Sequence, residues 1–141
     1  MIELIREMIG FLSREPLTVE DVAARVGSVT EDAGGSIPIR IRPGIAGIEL
    51  ARLMRDPDSG LPDALEFEFA PDMRPPVKAL REALGDYRQT LTHRGRPHEI
   101  LFHPPAAGTH WKIVLIASLI EHGGEIDESS AARLVFRRDP A

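Results

Sequence analysis

The chain contains no cysteine. Disulfides, cysteine-ligated zinc, iron–sulfur clusters and thiol catalysis are therefore excluded, and the composition fits a reducing compartment. It has no apolar run long enough for a membrane. The longest stretch, Ile113 to Ile120, is far short of the roughly 20 residues a spanning helix needs. A secretory leader is not expected either, because Glu3 and Glu7 stand where a leader needs a basic region. Together these absences point to a cytoplasmic protein with no membrane partner. There is also no basic excess. The formal charge is −5, from 22 acidic and 17 basic residues, which argues against nucleic acid as partner.

With 141 residues the chain has the size of one domain with an ordinary hydrophobic core. Its charge is uneven. Residues 1–72 hold 14 acids and 7 bases, whereas residues 73–141 hold 8 acids and 10 bases. An acidic first half is either a solvated face or a surface offered to a basic partner.

Periodicity gives the elements. Ile2, Ile5, Ile9 and Leu12 recur at spacings of three and four, which predicts a helix over 2–14. A second helix follows, with Thr18 as N-cap, Asp21 three residues later, and Gly27 as a left-handed C′ residue. The period then falls to 2. Residues 37–42 alternate, and Pro38 marks the start or edge of a strand. Residues 48–55 fit either a strand or a helix. The strand is preferred, because the turn-rich segment 56–60 would then join it to 63–70 as a hairpin. There Leu65, Phe67 and Phe69 should face a core, and Glu66 and Glu68 should face water or a partner. Pro75 and Pro76 open a third helix stopped by Gly85, and residues 88–97 read as a polar loop. Strands are expected at 98–103, at 111–121, which is apolar on both faces and so central, and at 133–138. The fold class is therefore α+β: an N-terminal helical hairpin and a mostly antiparallel twisted sheet with a third helix on it.

A degenerate repeat is also suggested. Residues 17–27 and 76–85 are each a short amphipathic helix closed by glycine, and strand-like segments follow both. The units would be helix plus three strands, at 17–72 and 74–139. The spacing Leu17-Thr18-x-x-x-Val22-x-x-x-Val26-Gly27, with the strands after it, resembles the helix-plus-sheet modules of β-lactamase inhibitory proteins and of small outer-membrane assembly lipoproteins. The chain departs from those families in having no export signal, lipobox cysteine or disulfide. The resemblance implies that protein binding is a natural use of such a shape, and it carries over no site residue.

Catalytic and metal motifs are sought in turn. His93, His98, His103, His110 and His122 cluster in one segment, but lack His-Glu-x-x-His or any helix with two of them four apart. His98 and His103 are five apart on one strand and so point to opposite faces. No serine lies in Gly-x-Ser-x-Gly, and Ser118 reads as a satisfied core hydroxyl. Glu66 and Glu68 share a strand face and could form an acid/base pair, or simply solubilise the strand and guard against edge pairing. Gly34-Gly35-Ser36 reads as a flexible loop, not a phosphate loop. The most suggestive binding cluster is Arg94 and Arg96 with Arg74, Arg88, His110 and Trp111, since arginine and tryptophan recur at binding hot spots. Trp111 could equally cap the core.

No catalytic set, metal site or cofactor is therefore expected. The sequence points to a non-enzymatic protein-binding module, immunity-, inhibitor- or adaptor-like, using an acidic sheet face with Glu66 and Glu68. One alternative is a homo-oligomerisation domain that pairs through a sheet edge at 37–42 or 132–138. The other is a metal- or small-ligand-binding protein that uses the 93–122 histidines.

Overall fold

The computed structural model describes residues 1–90, 98–105, 110–120 and 125–141. Two helices come first, α1 (Ile2–Leu12) and α2 (Val19–Val26). Four strands follow: β1 (Gly27–Glu31), β2 (Ile39–Pro43), β3 (Ile48–Arg55) and β4 (Pro62–Phe69). After a 3-10 turn at Pro71–Met73 come α3 (Val77–Leu84) and β5 (Tyr87–Gln89), β6 (His98–Phe102), β7 (Trp111–Leu119) and β8 (Ala131–Pro140). The eight strands form one antiparallel sheet in the order β1-β2-β3-β4-β8-β7-β6-β5. Each half is a four-strand meander, and β4 and β8 join them in the middle.

Local chemistry explains the helix ends. Thr18 caps α2 reciprocally: the Asp21 N–H donates to its hydroxyl at 3.1 Å, and its own N–H donates to the Asp21 carboxylate at 3.0 Å. Gly27 differs from expectation. Its φ of 168° is extended and it opens β1 instead of making a left-handed cap. Glycine is required for proximity, because a Cβ there would lie 1.9 Å from the Arg42 carbonyl oxygen. Gly85 does close α3 with a positive φ of 95°. The 48–55 segment is the strand β3. Its hairpin turns through Asp56, whose carboxylate accepts the N–H groups of Asp58 at 2.8 Å and Ser59 at 3.2 Å.

Alternation places Ile39, Ile41, Ala51, Leu53, Leu65, Phe67, Ile100, Phe102, Leu115 and Phe136 on one face. Met8, Val22 and Leu80 from the three helices join them in a single core. Phe67 and Phe136 meet edge to face there, with ring centroids 5.4 Å apart. Truncating a fully buried phenylalanine of this kind to alanine costs about 3–5 kcal/mol. Ala64 and Val114 are also buried, yet they belong to the opposite face and lie outside that core. The helices therefore pack on one face of the sheet. No helix among the described residues is long and apolar enough to cross a membrane.

Two sequence expectations change. Each half holds four strands, not three, because the polar segments 27–31 and 87–89 pair as edge strands. The runs 37–42 and 132–138, expected as free edges, lie inside the sheet: β2 is paired on both sides and β8 is central. Burial of alternate apolar residues pulled these runs inward and left the more polar β1 and β5 at the rims.

Candidate functional site: the open sheet face and its cleft

The face away from the helices is where the chain displays chemistry. Register places Arg40, Arg52, Glu66, Val135, Ile116, Leu101 and Arg88 in one row across seven strands. Leu50, Met54, Val135, Ile116 and Leu101 are half-buried on this face, giving it an apolar strip.

A polar chain runs beside that strip through five neighbouring strands. Arg52 on β3 donates to Glu66 on β4 at 2.9 Å. Arg133 on β8 contacts the other Glu66 oxygen at 3.2 Å. Arg133 also donates to the Ser118 hydroxyl on β7 at 3.3 Å, and Ser118 donates to Glu99 on β6 at 3.5 Å. Glu66 is only 7% exposed, so it does not face water as the sequence suggested. Two guanidiniums hold it as a buried carboxylate, a state that is costly without such partners. Ser118 is buried and hydrogen-bonded, as expected of a satisfied hydroxyl, but it lies on the open face.

Glu68 is half-buried and makes no ion pair among the described residues. It lines a cleft of about 320 Å³ with Glu49, Arg74, Ser118 and Arg133, over Phe69, Leu119 and Ala132. The linker after β4 brings Arg74 there. Its neighbour Pro75 accepts the Ala131 N–H at 2.9 Å, and Val77 donates to Ser129 at 2.9 Å, which ties the linker to the start of β8. Gly47 lets the 3-10 turn approach: its φ is 87°, and a Cβ would lie 2.9 Å from the Met73 side chain.

The open face is not acidic. Alternation puts Arg40, Arg42, Arg52, Arg88, Lys112, Arg133 and Arg137 on it, against Glu31, Glu66, Glu68, Glu99 and Asp139, with Arg40 and Glu31 paired at 3.7 Å. The acids that make the first half negative include Glu3, Glu7, Glu20 and Asp21, which lie exposed on α1 and α2.

Of the arginine–tryptophan cluster, the described residues Arg74 and Trp111 are not brought together. Arg74 and Trp111 belong to opposite ends of β7, which nine residues stretch over about 27 Å. Arg94, Arg96, His93 and His122 lie outside the described residues. His110 is exposed, and its carbonyl accepts the Ala141 N–H at 3.0 Å. Trp111 packs structurally. The Arg138 guanidinium stacks 4.1 Å from its ring, and its indole N–H donates to Glu15. Arg138 is 3% exposed and donates to the carbonyls of Leu12 at 2.8 Å, Pro62 at 2.8 Å and Arg14 at 3.3 Å. Burial pushes this guanidinium below its ordinary pKa, and Glu15 and Asp63 oppose the shift. Among the described residues no group of three or more His, Asp or Glu side chains is arranged to hold a metal.

Arg52, Arg133 and Glu99 were not anticipated as site residues. Their only sequence signal is a charge at an alternate position of an apolar strand. Comparison with known proteins finds no matching family model, no similar curated protein and no similar solved structure.

Proposed function

We propose that the chain is a non-enzymatic protein-binding module, inhibitor-, immunity- or adaptor-like in role, that docks its partner on the open sheet face. One observation carries this reading: an eight-stranded sheet, about 34 Å wide at ordinary strand spacing, has helices on one face only among the described residues. The uncovered face combines a half-exposed apolar strip with a surround of arginines. Interfaces favour that composition, with an apolar centre and enriched arginine. The face lacks aromatic side chains among the described residues, which favours protein over single-stranded nucleic acid, whose bases need stacking platforms. Because cations outnumber carboxylates there, the complementary partner surface is acidic. The matched helix-plus-four-strand halves also support reading the chain as a degenerate tandem repeat, with the docking face spanning both units.

The test is capture of a partner from native lysate by the tagged chain at low and high salt. A single stoichiometric partner that is released by salt supports the reading. Recovery of the bait alone, or a mass in solution above one chain without a partner, contradicts it in favour of self-association.

A further inference from the structure

We propose that the cleft at the bulged end of the open face binds a zwitterionic small molecule of the α-amino-acid type, independently of any protein docked on the face.

The first support is the backbone. In the β3–β4 ladder Ile48 pairs with Phe69 and Leu50 with Glu68, which leaves Glu49 as an extra residue. In the β7–β8 ladder Ser118 pairs with Arg133 and Leu119 with Ala131, which leaves Ala132 extra. Both extra residues line the cleft. A bulge bends its strand and re-aims a side chain, and such irregularities recur beside binding sites.

The second support is unspent charge. Glu49, Glu68 and Arg74 make no ion pair among the described residues. The Nε–H groups of Arg74 and Arg133 are buried without a hydrogen-bond partner.

Strand order then sets the ligand's chemistry. The two carboxylates come from β3 and β4, while Arg133 comes from β8 and Arg74 from the linker tied to β8. A phosphate or simple carboxylate would meet Arg74 and Arg133 but also face Glu49 and Glu68. A simple amine would meet the reverse conflict. A zwitterion satisfies both sides, with its ammonium toward the glutamates and its carboxylate toward the arginines. Ala132 is the small apolar residue of the lining, while the Phe69 and Leu119 side chains are buried in the core beneath. The volume of about 320 Å³ sits at the small end for ligand sites.

The test is calorimetric titration of the full chain with L-leucine, and with two compounds that each lack one of its charges, 4-methylpentanoate and 3-methylbutylamine. Saturable leucine binding is expected, at least ~10-fold tighter than either single-charge compound, as the loss of a charged hydrogen bond implies. Arg74→Ala and Glu68→Gln should each weaken leucine binding by at least ~10-fold while leaving the melting temperature unchanged, since neither residue has an ion pair to lose. Glycine, L-methionine and L-glutamine complete the panel. The proposal is overturned if none of the four amino acids binds at millimolar concentration. It is equally overturned if a single-charge compound binds as well as leucine, or if both variants bind leucine as the parent does.

Discussion

Arg133 stands directly across the β4–β8 ladder from Glu68, yet gives its guanidinium to Glu66, two residues along. The diagonal choice puts two arginines on one buried carboxylate and leaves the neighbouring one free. The same sheet face thus acquires a rigid polar centre and an unneutralised acid at the cleft.

Glu66→Gln is expected to destabilise the fold by about 1–3 kcal/mol in urea denaturation. Removing one member of a buried pair strands its partners, but Arg52 and Arg133 retain 31% and 34% exposure, so water relieves part of the cost. Glu68→Gln should leave stability within about 0.5 kcal/mol of the parent. Equal effects from the two substitutions would show that the pairing geometry has no energetic weight.

Arg138→Ala should cost about 3 kcal/mol, because three carbonyls of the α1 C-terminus and the start of β4 lose their donor and the Trp111 ring loses its cation. Trp111 is the chain's one tryptophan, so its emission reports this region directly. The variant is expected to shift that emission to the red in the native state. An unchanged spectrum would contradict the packing described.

Thr18→Ala should lower stability by about 1 kcal/mol, the ordinary value of an N-cap. Thermal or urea melts measure it, and Thr18→Ser should recover most of the loss.

Tyr87, the one tyrosine, has its phenol pKa raised above the ordinary 10.0, first by burial and then by its hydrogen bond to Asp127 at 2.9 Å. The neutral phenol is therefore favoured in the folded state. This contribution to stability is complete below pH 10 and disappears as pH rises through the raised value. Ultraviolet titration should place the phenolate transition above 10, and Asp127→Asn should move it back down. A native midpoint at or below 10 would contradict the assignment.

Much of the fold was legible in the sequence because it rests on local signals. The Thr18–Asp21 box, the alternation of Leu65, Phe67 and Phe69, and the Asp56 turn each carry their structural reason within a few residues. Strand order was not legible, because whether β8 lies at an edge or between β4 and β7 depends on contacts some 70 residues distant. The polar edge strands were missed for a related reason: backbone pairing with a neighbour, not hydrophobic period, makes residues 27–31 extended. In the candidate site, Glu66 and Glu68 were found but given the same surroundings. Register sets Arg52 opposite Glu66 on one side and Arg133 opposite Glu68 on the other, and only the diagonal reach of Arg133 to Glu66 separates the two acids.

The central claim, docking on the open face, is tested most directly by two charge-matched variants against a captured partner. Arg40→Glu with Arg88→Glu changes the open face, while Arg6→Glu with Arg25→Glu makes the same change of charge on the helical side. All four side chains are exposed, so both proteins should melt like the parent. Calorimetry should find partner affinity lowered at least ~10-fold in the open-face variant and nearly unchanged in the helix-face variant. Full affinity in the open-face variant, with loss in the helix-face variant, would contradict the account and move the docking surface to the helices.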